Sequence, residues 1–507
     1  AFQQELKATS CISCGQCIDV CPTGAWLDRR ENIKEIPLNL EQTKSVCSYC
    51  SVGCEIVYEH KDDVIYLASS PKNKEIPACG KGKFGIEHIN NAKRLLQPKV
   101  KIKRSYEAIA LDTAIFETAK RLRSIQNMYG DDKIAFVVSP KLTNEEFKFI
   151  KAVADELNTK FKGSFTLDKE PGIEAVLGRN ESTITAEELD NADLIISAGQ
   201  LYEHHPAAGM KLRRLSNTKK IISASTIETK MNNFAAKADV TDYEVFFTRV
   251  LKALVENGTI KKEVISSYPN GEELNKLLDK IEVMPEASAV AEAFKKAKKP
   301  IIVADENTVP KAALKVLADI TLLAGNSNRP HRGLIVYKAK ANSVGAWNIG
   351  FRTSGEEIRN ALLNNELKGL VVIGEDIAGN NPELKKAISG LKFFAAFDIM
   401  ENETTALAEY VLPLCSIAES SGTIVSADGT VRNVIEAIKP LTGMSNLEMF
   451  KNLAQQLNAV YKEESEAEAT VALYVPALNS KEKEYEVYDT VEKAFLENLK
   501  ENCVKAV

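Results

Sequence analysis

Eight of the ten cysteines fall within the first eighty residues, and their spacing limits what this part of the chain can become. Cys11, Cys14, Cys17 and Cys21, followed by Pro22, read C-x2-C-x2-C-x3-C-P. Cys47, Cys50 and Cys54 read C-x2-C-x3-C, with Cys79 as a distant fourth. Thiolates spaced this closely wrap one face of an iron–sulfur cubane, and the first run is an established ligand pattern for one. Backbone N–H groups of Ser13, Gly15 and Gln16 can then point at its sulfurs, and Gly15 permits the tight turn this needs. Structural zinc is the competing reading. Zinc sites usually pair two short Cys hairpins, or Cys with His, at longer separation. The set at Cys47, Cys50, Cys54 and Cys79 is the less specific of the two. A neighbouring cluster strengthens it, because electrons need consecutive stops.

In proteins with two such clusters the fourth Cys of the first run ligates the other cluster. Cys21 therefore serves a cluster whose remaining ligands lie upstream, or Cys11, Cys14, Cys17 and Cys21 close one cluster themselves. The chain opens at Ala1, without Met and in mid-motif, so both alternatives stand.

At 507 residues the chain has room for about two to four domains, each with its own core. A net charge of −5 argues against nucleic acid as a main partner. No apolar run reaches the roughly 18 residues of a spanning helix, so no direct membrane span is expected. No charged-then-apolar signal opens the chain. Cysteines clustered as metal ligands suit a reducing cytoplasm better than a disulfide framework does. Cys415 sits in an apolar stretch and reads as a packed thiol, while Cys503 has no evident role.

Residues 1–33 form a ferredoxin-like segment, and residues 44–103 a second small unit around the other thiols. Glu55–Tyr58 and Val64–Leu67 read as two strands about a charged turn. Lys81 and Lys83 beside Cys79 would stabilise the negative charge of a reduced cluster. The alternative for both is a solvated basic turn. Beyond about residue 105, short apolar strands alternate with helices. Asp112–Met128 has helical periodicity, with Ala114, Ile115, Ala119, Leu122 and Ile125 on one side. Thr143-Asn144-Glu145-Glu146 opens a helix with a capping box. Strands are expected near 134–138, 194–198, 221–224, 301–304, 370–373, 393–397 and 410–412. Continuous apolar strands between helices mean parallel sheets covered on both faces. There are too many for one sheet, so two Rossmann-like domains are expected.

Ligands in such sheets sit beyond the carboxyl ends of strands. The loops there, at Gly199–Pro206 and Gly374–Asp376, carry no GxGxxG and no phosphate-binding P-loop. His204-His205 reads as a pair of loop histidines without a chemical role, because adjacent residues diverge at a strand end. Residues 461–507 read as a charged tail, with a possible strand at Thr470–Tyr474 and a helix over the last twenty residues.

The order of these landmarks resembles the molybdopterin oxidoreductases of the formate dehydrogenase alpha type. It also resembles the related large iron–sulfur subunit of bacterial NADH–quinone oxidoreductase. The carrying residues are Cys11–Ala25, the set Cys47, Cys50, Cys54 and Cys79 with Lys81-Gly82, and Thr143–Glu146. Ala192–Pro206, Gly325-Asn326, Gly374-Glu375, Ala408–Glu419 and Gly422-Thr423 continue the series to about residue 460.

The resemblance implies an α/β fold. Ferredoxin-like and [4Fe-4S] domains precede two Rossmann-like doubly wound domains, one formed by 104–165 plus 345–460 and the other inserted at 166–344. It implies that Lys81 binds a cofactor, since the matching family lysine lies between a cluster and a pterin. Two departures bear on function. Active members hold molybdenum or tungsten through Cys or selenocysteine shortly after the helix opened by Thr143, and here no Cys lies between Cys79 and Cys415. Ser164 and Asp168 are the remaining candidate ligands. The family's C-terminal β-barrel also finds no counterpart.

The expectation is therefore an electron-relay subunit. It would hold two [4Fe-4S] clusters, on Cys11, Cys14, Cys17 and Cys21 and on Cys47, Cys50, Cys54 and Cys79. It would have no catalytic residue of its own and no molybdopterin. Its expected partners are a flavin subunit that binds NAD(P)H, further iron–sulfur subunits, and ferredoxin or a quinone or hydrogenase module as acceptor. It would lie in the cytoplasm or be attached to a membrane through a complex. The alternatives are a molybdenum or tungsten bis-pterin formate dehydrogenase and a pair of zinc ribbons on a binding scaffold.

Overall fold

The computed structural model describes residues 9, 11–26, 39–71, 77–167, 172–327, 329–462 and 471–476. Helix α1 (Gln16–Asp19) lies within the first thiol run. Strands β1 (Glu41–Val46), β2 (Glu55–Lys61) and β3 (Val64–Ser69) form an antiparallel sheet in that order. Asp62 and Asp63 take left-handed φ of 51° and 60° in the turn between β2 and β3. That is the backbone a two-residue hairpin needs, and Asp tolerates it. Helix α2 (Gly80–Phe84) follows and carries Lys81 and Lys83.

A hairpin of β4 (Lys99–Ile102) and β5 (Ser105–Ala108) leads to helix α3 (Leu111–Tyr129), β6 (Ile134–Val138), helix α4 (Asn144–Glu156) and β7 (Lys162–Ser164). The helix expected from periodicity is α3, and all five of its predicted apolar positions are buried. A separate parallel sheet then forms from β8 (Leu194–Ala198), β9 (Lys220–Ser225), β10 (Ala236–Asp239), β11 (Pro300–Asp305) and β12 (Gly333–Tyr337). Its order is β10-β9-β8-β11-β12. The chain returns to the first large sheet with β13 (Thr353–Ser354), β14 (Gly369–Ile373), β15 (Phe393–Asp398) and β16 (Tyr410–Pro413). That sheet has eight strands in the order β13-β7-β6-β14-β15-β16-β4-β5. Strands β17 (Gly422–Val425) and β18 (Val431–Val434) make a final hairpin.

The central strands β6 and β14 are apolar and buried along their whole length because both faces of the sheet are covered there. Ile134, Phe136 and Val138 of β6 enter one core, and Ala135 and Val137 enter another. In β8, Leu194, Ile196 and Ala198 face one side and Ile195 the other. The antiparallel pair β4–β5 closes one edge of the eight-stranded sheet, with the four-residue β5 outermost, a short edge strand of the kind that discourages further pairing.

Two strands of the five-stranded sheet lie outside the sequence reading, and one expected strand is not found. Three of the four residues of Ala236–Asp239 are exposed at a sheet edge and offer no apolar run, so β10 is not foreseen. β12 carries an apolar run as clear as its neighbours and was not anticipated either. Residues 471–476 form no strand. They run along the helical layer, where Leu473 N–H donates to Pro269 and Tyr474 N–H donates to Asp319. The acidic run at 463–468, the C-terminal helix and Cys503 lie outside the described residues. Cys415 is the packed thiol expected, in contact with Thr442 and Met444, and burial pushes it up to about 12.

Each large sheet has one place where the connection order reverses. In the eight-stranded sheet it lies between β6 and β14, and in the five-stranded sheet between β8 and β11. Such points are where doubly wound sheets open a crevice.

One buried ion pair ties the small domain to the eight-stranded sheet. Arg94 NH2 meets Glu419 Oε2 at 2.8 Å, with both side chains at most 1% exposed. Arg94 also donates to the carbonyls of Ile89 and Leu414. Replacing Arg94 by Met strands a buried carboxylate, so Arg94→Met should cost roughly 3–5 kcal/mol. Chemical denaturation of the two proteins would show it. An unchanged midpoint would mean that the pair is not a structural tie.

Candidate iron–sulfur centres

The loop from Cys47 to Cys54 hangs between β1 and β2. Cys47 N–H donates to the Cys54 carbonyl at 2.9 Å, which closes the loop at its base. Gly53 adopts φ +68°, and a Cβ there would meet the Ser426 side chain at 2.8 Å. Ser51 exchanges hydrogen bonds with Lys338, just beyond β12 (Lys338 N–H to Ser51 Oγ, 2.6 Å), and its carbonyl accepts from Ala427 N–H. The loop is thus pinned to the five-stranded sheet and to the final hairpin.

Cys79 is the residue before α2 and brings its thiol to the same place. Cys47 and Cys79 are buried, and Cys50 and Cys54 are partly so. Backbone N–H groups face the sulfurs: Tyr49 toward Cys47, Val52 toward Cys50, and Lys81 and Gly82 toward Cys79. A Cβ at Gly82 would stand 3.2 Å from Cys47 Sγ, so the backbone passes close beneath the thiols.

Burial, and then the mutual repulsion of neighbouring thiols, holds Cys47 and Cys54 well above the ordinary thiol range. Cys79 is raised by burial and by Cys50. Burial acts on Cys50 too, but His205 outweighs it and lowers this one thiol. Among the described residues, no three His, Cys, Asp or Glu are gathered tightly enough for a single metal ion. Four neighbouring thiols with several backbone N–H groups aimed at their sulfurs fit an iron–sulfur cluster. Iron bound there would supply one-electron redox capacity, and it would displace the thiol protons on binding.

Lys81 lies beside Cys50 and Cys79 and favours their thiolates. Lys141, in the loop after β6, does the same for Cys47 and sits 5.4 Å from the Tyr49 ring. Arg432 acts on Cys54. Lys83 departs from the solvated-turn alternative, because its side chain is 2% exposed and is ion-paired with Asp19.

The histidines differ from the sequence reading. Both bind Asp305, the last residue of β11, which is fully buried at the reversal point of its sheet. His204 Nδ1 lies 2.7 Å from Asp305 Oδ2, and His205 Nε2 lies 3.1 Å from Oδ1. Asn307 and Thr308 also donate to this carboxylate. The ionised Asp305 pays for its burial with these bonds, which hold it far below the usual carboxylate range. Burial lowers His205, but Asp305 and Cys50 overcome that and raise it to about 9. Sequence alone gives no warning of Asp305 beyond its place at a strand end opposite Gly199.

The first thiol run lies nearer the surface. Cys17 is exposed, and Cys11, Cys14 and Cys21 are partly so. Ser13 N–H faces Cys11 Sγ at 3.4 Å, as anticipated for a sulfur-directed amide. The Thr23 hydroxyl, then backbone N–H groups, lower Cys21 to about 7. Lys230 Nζ donates to the Cys11 carbonyl at 2.6 Å, and Ile12 packs against the five-stranded sheet domain.

Ser164, a candidate metal ligand, is fully buried at the end of β7. Its hydroxyl donates to Glu375, beyond β14, and contacts Thr166. Phe165 N–H donates to the other Glu375 oxygen at 3.0 Å. Asp168 lies outside the described residues.

Burial raises Glu375 from 4.5 to about 7, against the pull of its hydrogen bonds. A carboxyl raised on folding contributes stability below its ordinary value and loses it as pH rises through the folded value. Stability should therefore fall between about pH 4.5 and 7 by about 3 kcal/mol. Glu375→Gln should abolish that share, so the variant gains on the parent when denaturation is compared near pH 5 and pH 8. Parallel pH profiles would contradict it.

Comparison with known proteins yields three family models. "Molybdopterin oxidoreductase Fe4S4 domain" matches residues 40–91. "Molybdopterin oxidoreductase" matches 94–259 and 276–456. "4Fe-4S binding domain" matches 7–26. The chain is 25% identical over 492 residues to "NADPH-Fe(3+) oxidoreductase subunit alpha" of Geobacter sulfurreducens, covering 85% of this chain and 57% of that protein. It is 23% identical over 593 residues to a Staphylococcus haemolyticus protein named "Putative formate dehydrogenase", covering 93% and 59%. It thus spans just under three-fifths of these relatives. Acetylene hydratase from Pelobacter acetylenicus shares the fold, with a TM-score of 0.68 at 14% identity over 82% of this chain and 69% of that one.

Proposed function

The chain belongs to the molybdopterin oxidoreductase family, and from that premise we propose that it is an iron–sulfur electron-relay subunit of a multisubunit NAD(P)H-linked oxidoreductase. Cys11, Cys14, Cys17 and Cys21 hold an outer [4Fe-4S] cluster, and Cys47, Cys50, Cys54 and Cys79 an inner one. The observation that carries this is the gradient of exposure. One thiol set opens to the surface at Cys17, and the other is buried behind it at Cys47 and Cys79. A partner subunit binding flavin takes two electrons from the reduced pyridine nucleotide as hydride and passes them on singly. Lys81, Lys141 and Arg432 offset the charge each electron adds to the inner cluster.

The domain division set out from the sequence and a cytoplasmic location belong to this reading. Among the described residues no helix is long and apolar enough to cross a membrane. The name of the Geobacter relative, an alpha subunit acting on NADPH, supports the assignment of partners.

The reading also holds that the metal chemistry of the fold has been given up here. No Cys lies between Cys79 and Cys415, and the Ser164 hydroxyl is buried against Glu375. A catalytic metal needs an open, preorganised coordination site. The formate dehydrogenase reading is the one to test against it, since a relative carries that name.

Anaerobically purified protein should carry iron and acid-labile sulfide at the content of two four-iron clusters. Cys50→Ser should lose the share of one. Metal analysis should find neither molybdenum nor tungsten in proportion to the chain. Stoichiometric molybdenum with formate-dependent dye reduction would replace this reading with the dehydrogenase, and zinc without iron would end both.

A further inference from the structure

Between the two thiol sets lies a seam of direct contact. Ser13, which precedes Cys14, sets its carbonyl against Gly80, which follows Cys79. A Cβ on Gly80 would lie 2.7 Å from that oxygen. Gly15 turns through φ +70° over the edge of Phe84, where a Cβ would lie 2.4 Å from the ring. Only glycine lets the two backbones approach this closely. Across the same seam the buried Lys83 ammonium is ion-paired with Asp19, and Gln16 Nε2 donates to the same carboxylate oxygen at 2.8 Å. Asp19 sits between Cys17 and Cys21, so the pair joins one ligand run to the helix that follows the last ligand of the other.

We infer that this seam is the path by which an electron passes between the two clusters, and that Lys83 is the positioning residue that keeps it closed. The inference rests on the relay reading and adds the route and its clamp to it. With clusters held on both thiol sets, the step would be the transfer of one electron from the set at Cys11–Cys21 to the set at Cys47–Cys79, with no bond made or broken. One route runs along bonds from Cys14 to Ser13, crosses a single through-space contact to Gly80, and continues along bonds to Cys79. Its tunnelling contact is the only one between non-bonded atoms on that route, so small separations there matter most.

The pair is asymmetric, with Lys83 at 2% and Asp19 at 33% exposure. Lys83→Met therefore leaves a carboxylate that water can reach, and the chain should still fold.

The experiment uses the whole chain with both clusters, reduced by dithionite. The parent should show magnetic interaction between the two reduced clusters, and the inner cluster should be reduced together with the outer one on rapid freezing. Lys83→Met should keep full iron and sulfide yet lose the interaction, with reduction of the inner cluster lagging. Lys83→Arg, which restores the ion pair, should recover both. Gly80→Ala, which leaves the ion pair in place but wedges the seam, should lose the interaction as well. It decides the matter if Lys83→Met sheds a cluster. Interaction and reduction unchanged in Lys83→Met, or in Gly80→Ala where that variant decides, overturn the inference. A parent without two clusters overturns the relay reading instead.

Discussion

Four thiols buried side by side cannot all shed their protons unaided. Burial and mutual repulsion hold Cys47, Cys54 and Cys79 in the neutral form. Making them anionic takes a strongly charged metal centre together with donors already aimed at sulfur. Much of the surrounding structure is arranged to that end. Amides of Tyr49, Val52, Lys81 and Gly82 face the sulfurs, and Lys81, Lys141 and Arg432 supply positive charge. These groups come from the small domain, the eight-stranded sheet and the final hairpin, so the site exists only when all three are in place.

The two cysteine runs stand out in the sequence because metal-ligand spacing is local. The central strands were legible for a similar reason: β6, β8, β11, β14 and β15 are buried on both faces and read as short, largely apolar runs. What surrounds the thiols was not legible. Asp305 and His205 are a hundred positions apart, and their meeting with Cys50 depends on how β8 and β11 align. Lys83 looks like one more lysine of a basic turn until Asp19, sixty-four residues earlier, is brought against it. Spacing reports chemistry within one loop, whereas a charge held across a domain boundary leaves no local pattern.

The landmarks that carry the family resemblance also have physical reasons to persist together. Thr143 and Glu146 form the capping box of α4, with Thr143 N–H donating to Glu146 at 2.7 Å. The two residues between them face outward from the cap to the β17 hairpin. Glu145 accepts from Thr423 N–H at 2.7 Å and from its hydroxyl at 2.8 Å, and Asn144 donates to the same hydroxyl. Gly422, at φ +148°, has no room for a side chain beside Glu145. Two motifs nearly 280 residues apart are therefore one interface, and neither can change alone without leaving buried polar groups unpaired.

The same logic bears on why a relay subunit would keep a large inserted sheet domain. If that domain served only to bind a pterin, its loss would be neutral once the pterin had gone. In this chain it forms one wall of both thiol sets. His205 stands against Cys50, Val52 and Ile12 pack on its core, Lys338 fixes Ser51, and Lys230 holds the carbonyl of Cys11. Without it the inner thiols would face water, and the screening of charge there would shift the potential of any cluster they hold. On the relay reading, the five-stranded sheet domain thus stays under constraint as a wall around both thiol sets.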